Sequence, residues 1–184
     1  MGLRDRREER REERQEFGRG GTALRFQMRE KLLSVGDDYW IENSEGARAF
    51  RVDGKAIRVR DTFELEDANG NQVARIQSKM LRVRDTMNLE HGDGRPMATV
   101  KKALISPLRD RFKVEVEDGD DLEVQGNILD HEYEMEREGR KVAEVSKKWF
   151  RVRESYGIEV ADPKDAVLVL AVAVALESMT DGVG

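Results

Sequence analysis

Residues 56–76 read AIRVRDTFELEDANGNQVARI, and they decide the fold. In the first half Ile57, Val59, Phe63 and Leu65 fall on one face of an extended chain, and Arg58, Arg60, Thr62, Glu64 and Glu66 fall on the other. That period of two marks a half-buried strand. Asp67-Ala68-Asn69-Gly70 then supplies turn chemistry, and Ala74 and Ile76 open a return strand. The unit is a β-hairpin.

The unit recurs along the chain. An aromatic residue or Met, followed two residues on by an apolar one and three on by Glu, appears as Tyr39-Trp40-Ile41-Glu42, Phe63-Glu64-Leu65-Glu66, Met87-Asn88-Leu89-Glu90, Phe112-Lys113-Val114-Glu115, Tyr133-Glu134-Met135-Glu136 and Tyr156-Gly157-Ile158-Glu159. The lead residues are spaced by 24, 24, 25, 21 and 23. So regular a period means one supersecondary unit used repeatedly. The alternation of residues 56–66 returns in Leu81, Val83, Met87 and Leu89, and again in Phe150, Val152, Tyr156 and Ile158, with Arg151, Arg153, Ser155 and Glu159 on the opposite face. Turns follow at Asn43 to Gly46, Asp67 to Gly70, Gly92-Asp93-Gly94, Asp118-Gly119-Asp120 and Glu138-Gly139. Return strands keep one spacing from the turn glycine: Gly46 to Phe50 and Val52, Gly70 to Ala74 and Ile76, Gly94 to Ala98 and Val100, Gly139 to Ala143 and Val145. A leading strand around Arg25 to Leu33, six aromatic- or Met-led strands and five return strands make twelve. A meander of that length leaves open edges unless it closes, so the expected fold is mainly β, a closed twelve-stranded antiparallel barrel.

The sixth unit lacks a return strand. Asp162-Pro163-Lys164-Asp165 leads instead into Ala166 to Leu176 without one polar residue. Asp at the N-cap, Pro at the first helical position and Asp two later predict a helix over about 163–179. The β-branched Val167, Val169, Val172 and Val174 keep a final strand open as the alternative. A helix apolar on every side must be buried on every side. Eleven apolar residues fall short of the roughly 20 that span a bilayer. A twelve-stranded barrel leaves a hole on its axis, and this helix is the filler, its large apolar side chains contributing on the order of 10–20 kcal/mol before entropy is subtracted.

With 184 residues the chain has room for one full-sized core. Charged residues make up 39% of it, yet 33 Lys and Arg against 38 Asp and Glu leave a net charge of only −5. Net charge therefore points neither to nucleic acid nor to an anionic membrane, and any basic site must be local. The absence of Cys excludes disulfides, a thiol nucleophile and a Cys-based zinc site. Without an apolar signal segment the expected location is cytoplasmic, and the Arg- and Val-rich usage fits a GC-rich prokaryotic genome. Residues 1–22 are almost devoid of apolar surface and read as a charged, disordered tail, with a partner-binding arm as the alternative. The barrel domain is expected over 23–184.

Three features together carry a family likeness: Val-Arg-Asp-Thr at Val59 to Thr62 and again at Val83 to Thr86, the run Leu104-Ile-Ser-Pro-Leu-Arg-Asp-Arg-Phe112, and the terminal apolar helix. The chain from about Leu24 to Met179 resembles the LURP-one-related family, whose domain is similar to the tubby C-terminal domain and to phospholipid scramblases. The resemblance implies a twelve-stranded barrel around a buried C-terminal helix. It also implies association with membrane phospholipids in some relatives. The cysteine-rich segment and transmembrane tail of a scramblase are missing from this sequence.

Candidate site residues are basic. Lys79, Arg82 and Arg84, Lys101 and Lys102, and Lys147, Lys148, Arg151 and Arg153 occupy equivalent places in the repeat. One reading gathers them into an outward patch for anionic lipid headgroups, each contact worth about 1 kcal/mol at an anionic surface. The other pairs them with Glu64, Glu66, Glu90 and Glu159 across strands on a solvated face. A second set, Asp37, Asp61, Asp85, Asp110, His131 and Glu154, precedes each lead residue by two and shares the inward parity. It forms either a metal-binding or proton-handling ring or a repeated bulge that turns the acid outward. For an enzyme the inventory is thin: His91 in a turn, His131 in a strand, and no nucleophile elbow, zinc motif or P-loop. The expectation is a non-enzymatic domain without metal or cofactor, at the inner membrane surface through anionic lipids, or else a structural module that contacts a partner protein. A barrel that opens to admit an apolar ligand would require a shortened or loosely packed helix.

Overall fold

The computed structural model describes residues 23–29, 39–53, 62–79, 86–106, 109–149 and 155–180. The turns set the architecture. Gly46, Gly70, Gly94 and Gly139 have φ of 77°, 83°, 85° and 73°, the left-handed conformation that closes a tight hairpin loop without a Cβ penalty. Side chains reinforce them: Asn43 Oδ1 accepts from the Glu45 and Ala47 amides, and Asp67 Oδ1 accepts from those of Asn69 and Asn71. The turn after Phe112 differs. Gly119 is not left-handed, and the Asp121 carboxylate accepts from the Val116 amide at 3.2 Å instead.

Twelve strands result: β1 (Leu24–Arg29), β2 (Tyr39–Asn43), β3 (Arg48–Asp53), β4 (Thr62–Asp67), β5 (Gln72–Ser78), β6 (Thr86–His91), β7 (Pro96–Ser106), β8 (Arg109–Val116), β9 (Leu122–Asn127), β10 (Glu132–Arg137), β11 (Arg140–Ser146) and β12 (Ser155–Val160). Each pairs antiparallel with its chain neighbours, and β1 pairs with β12 from Leu24↔Val160 to Arg29↔Ser155, which closes the barrel. The leading strand expected around Arg25 to Leu33 is described as far as Arg29, and the strand expected from Ala56 is described from Thr62 onward. Turns after even-numbered strands share one end of the barrel, here the turn end. Connections after odd-numbered strands share the other, the connection end.

The glutamate of the repeat marks a bulge. Register slips by one at Ile41/Glu42, Leu65/Glu66, Leu89/Glu90 and Met135/Glu136. The extra residue opposite is Ala49, Val73, Met97 or Val142, always three after the turn glycine. Met97-Ala98 and Val142-Ala143 are therefore buried as consecutive pairs, and Ala49 and Val73 pack against the core. A strict period of two would have put these four on the wet face; the bulge turns them inward. A second departure is β12, buried at all six positions. Ser155 and Glu159, expected on a solvated face, are covered: Gln27 donates to Ser155 Oγ at 3.1 Å, and the Arg25 guanidinium bonds Glu159 and lies 5.9 Å from the Trp149 ring.

The last element is helical, not a thirteenth strand. Asp162 is the N-cap and accepts from the Lys164 amide at 3.1 Å, Pro163–Asp165 form a 3-10 turn, and α1 follows over Ala166–Thr180. It runs down the barrel axis from the turn end and is buried from Leu168 to Met179, leaning on β5, β6 and β7. The loosely packed helix that an opened barrel would need is not present. No described helix is long and apolar enough to cross a membrane.

Candidate functional site

Register places the described basic candidates toward the connection end. The Lys79 amide donates to the Thr86 carbonyl at 3.1 Å, and Thr86 pairs with Lys101. Lys79, just past the end of β5, thus stands at one level with Thr86 of β6 and Lys101 of β7, with strands about 4.8 Å apart. Lys102 follows at the edge of the long β7–β8 ribbon. Lys147 and Lys148 lie in a 3-10 turn, Lys147–Trp149, after β11. Glu132 holds that turn. Its carboxylate accepts from Ser146 Oγ at 3.0 Å and from the Lys147 amide at 3.2 Å, and stands 3.4 Å from the Lys148 ammonium, which is 80% exposed. Arg82, Arg84, Arg151 and Arg153 lie outside the described residues.

These cations do not make one continuous patch. The Lys147-Lys148 pair sits four strands round the wall from Lys101, and acids intervene. Lys101 bonds Glu115 at 2.5 Å, and Lys113 reaches Asp121 at 3.0 Å. These bonds hold the Glu115 and Asp121 carboxyls below their usual pKa and raise that of Lys113. Around the waist Arg51 meets Glu66 at 2.7 Å, Arg75 meets Glu64 at 3.4 Å, and Lys141 meets Glu134 and Glu144 at 3.3 and 2.8 Å. Asp53, Glu64 and Glu66 bring carboxylate oxygens within 4.8 Å of one another, but Arg51 and Arg75 bond two of the three, so the trio belongs to this ion-pair lattice.

Of the inward set, Asp110 and His131 are described; Asp37, Asp61, Asp85 and Glu154 are not. Asp110 is half-buried on β8. His131 was expected in a strand but occupies the turn before β10 with φ of 50°, because its amide donates to the Ile128 carbonyl and closes the turn. His91, expected in a turn, ends β6, where the β6–β7 hairpin carries pairing one residue further. The His131 ring stacks on Tyr156 with centroids 4.1 Å apart, and its Nδ1 lies 3.1 Å from Glu177 Oε1 of α1 without hydrogen-bond alignment. The hydroxyls of Tyr39 and Tyr133 are buried near the same carboxylate and have no hydrogen-bond partner among the described residues. Burial, and after it the Glu177 charge, push the phenols of Tyr39, Tyr133 and Tyr156 well above their ordinary pKa. Glu177 escaped the sequence reading. Its signal was present, a lone ionisable residue on a helix that has to be buried all round.

At the turn end a pocket of about 580 Å³ opens beside the start of α1, between the β6–β7 and β8–β9 turns. It too escaped the sequence reading.

The family model described as LURP-one-related matches residues 24–177. No curated protein matches the chain in sequence. Among solved structures, a protein of Arabidopsis thaliana superposes with a TM-score of 0.64 at 16% identity, over 85% of this chain and 91% of that one. At that identity the likeness speaks to the fold, and neither comparison bears on a prokaryotic source. With the family model spanning nearly the whole barrel and the solved relative sharing its architecture, the chain belongs to the LURP-one-related family.

Proposed function

We propose that this barrel is a non-catalytic binding domain whose connection end meets anionic phospholipid headgroups, as a peripheral protein at the inner membrane surface. One observation carries the reading: Lys79, Lys101, Lys102, Lys147 and Lys148 all stand toward one end of the barrel, and that end also presents Leu129, 66% exposed, in the β9–β10 turn. An apolar side chain beside cations suits a headgroup layer, in which each Lys near the surface contributes about 1 kcal/mol. Lys79 and Lys102 make no ion pair with a described side chain, so their charge is available to phosphate. The family likeness to tubby-like domains supports the same direction. The non-catalytic part of the reading draws on His131, whose ring is buried against Tyr156 and Glu177.

A second reading, a module that docks on a partner protein, is favoured by the alternating ion pairs of the waist, which present both signs of charge in a fixed pattern. Vesicle co-sedimentation separates the two. The lipid reading expects salt-sensitive binding to anionic vesicles, none to neutral ones, and loss of binding when Lys79, Lys102, Lys147 and Lys148 are changed to Gln. Failure of the unaltered protein to sediment with anionic vesicles at low salt would leave the partner-protein reading.

A further inference from the structure

The repeat predicts its own gap. Four hairpins carry a bulge that turns one extra apolar side chain inward at the turn end, among them Val73 and Met97. The β8–β9 hairpin has neither the left-handed glycine nor the bulge: its register runs unbroken from Asp110↔Gly126 to Val114↔Leu122. One plug is therefore missing from the ring around the start of α1. The pocket of about 580 Å³ lies at that place, lined by Val73, Met97, Val116, Val167 and Leu168 below and by charged residues above. Its size falls in the range of about 300–1,000 Å³ found for small-molecule sites, which likewise combine an apolar floor with a few polar groups.

The rim sets the sign of the ligand. Arg137 is held by Asp165 in a two-bond fork at 3.1 and 3.0 Å, and the Lys164 ammonium stands 2.9 Å from Asp162. Both rim cations thus already have carboxylate partners. Asp118 and Asp120, which are exposed, make no direct ion pair or hydrogen bond with a described side chain, although Arg95 and Arg137 stand within range of their charges, and both line the opening. The turns around them carry more acidic than basic residues; Asp93 and Asp121 are already paired with Arg95 and Lys113, and Glu117 adds to the excess. A carboxylate or phosphate ligand would meet a rim on which Asp118, Asp120 and Asp165 outnumber Arg137 and Lys164, whereas an ammonium would find two carboxylates that no described side chain binds directly.

We propose that this pocket binds a small aliphatic amine, its hydrocarbon body on the Val73, Met97 and Leu168 floor and its ammonium between Asp118 and Asp120. The site is at the opposite end from the basic residues and does not depend on the lipid reading.

The test uses the full chain, titrated with hexylamine, hexan-1-ol and hexanoate at pH 7 and followed by amide and methyl NMR. Hexylamine should produce saturable shifts at Met97, Val167 and Gly119. Hexanol should bind more weakly at the same signals, and hexanoate should leave them unmoved. Changing Asp118→Asn and Asp120→Asn together should weaken hexylamine about tenfold or more while leaving hexanol binding unchanged; both residues are exposed, so the variant folds as the parent does. Equal binding of hexanoate and hexylamine, shifts scattered around the barrel, or no saturable shift at all would overturn the proposal.

Discussion

The two ends of the barrel are built on different principles. At the turn end each hairpin closes through its own local chemistry, a left-handed glycine in four of the five and, in the β2–β3 and β4–β5 turns, an Asn or Asp that accepts from amides two and four residues on. At the connection end the groups that matter come from far apart in the chain: Tyr39 from β2, Tyr133 from β10, Tyr156 from β12 and His131 from a turn, all around Glu177 of α1. Local order can be repeated by copying a motif. Convergence of this kind exists only once the barrel has closed, so damage there should unfold the molecule, whereas damage at the turn end should stay local.

The largest expected contrast is in alkali. The phenols of Tyr39, Tyr133 and Tyr156 hold their protons more tightly when folded than the ordinary value of 10.0. Their contribution to stability is therefore complete below the unfolded pKa and is lost as pH rises through it toward the folded values. If all three titrate on unfolding, stability should fall by up to about 4 kcal/mol per pH unit above that point. Urea unfolding between pH 9 and 11, read with phenolate absorbance, checks this; a flat stability curve would show that the cluster is open to water.

Next in size is Gly126→Ala, which also probes the connection end. Its φ is 144°, and an added Cβ would lie 2.5 Å from the Glu132 carbonyl oxygen and 2.6 Å from Tyr133 Cα. Both neighbours are backbone and cannot swing aside. A loss of about 3 kcal/mol or more is expected, with Tyr133 displaced from the cluster. Thermal unfolding measures the first, and tyrosine fluorescence near Glu177 the second.

The smallest effect belongs to the turn end in acid. Hydrogen bonds from Asn71, Arg95 and Lys164 hold the Asp67, Asp93 and Asp162 carboxyls below their usual pKa. This stabilisation is present above the ordinary carboxylate range and is lost as pH falls through the lowered folded values. All three are solvent-facing, so the expected outcome is faster amide exchange at Asn69, Arg95 and Lys164 with the midpoint of global unfolding almost unmoved. A cooperative acid collapse beginning at these turns would erase the distinction between the ends.

Particular residues show how far the sequence could be read. Phe63 and Leu65 opposite Ile76 and Ala74, the turn at Gly70 and the helix start at Asp162-Pro163 were all legible, because each depends on neighbours within one hairpin or one helical turn. Val73 and Met97 were not. They follow a period of three from the turn glycine that only the bulge explains, and a bulge is a property of two paired strands. The basic candidates were half legible: spacing put Lys79 and Lys101 near one another, but the ionic partners Glu115 and Glu132 come from strand register.

The sequence by itself determined the repeated hairpin, the number of strands, the need for closure and the apolar helix that fills the axis, because period, turn chemistry and burial demand are local or additive properties. Tertiary structure alone decided which charges meet, which end gathers the buried phenols around Glu177, and where the ring of apolar plugs has its gap. Those depend on the pairing of β1 with β12, more than a hundred residues apart, and on the depth to which α1 enters, long-range contacts that no window of sequence contains.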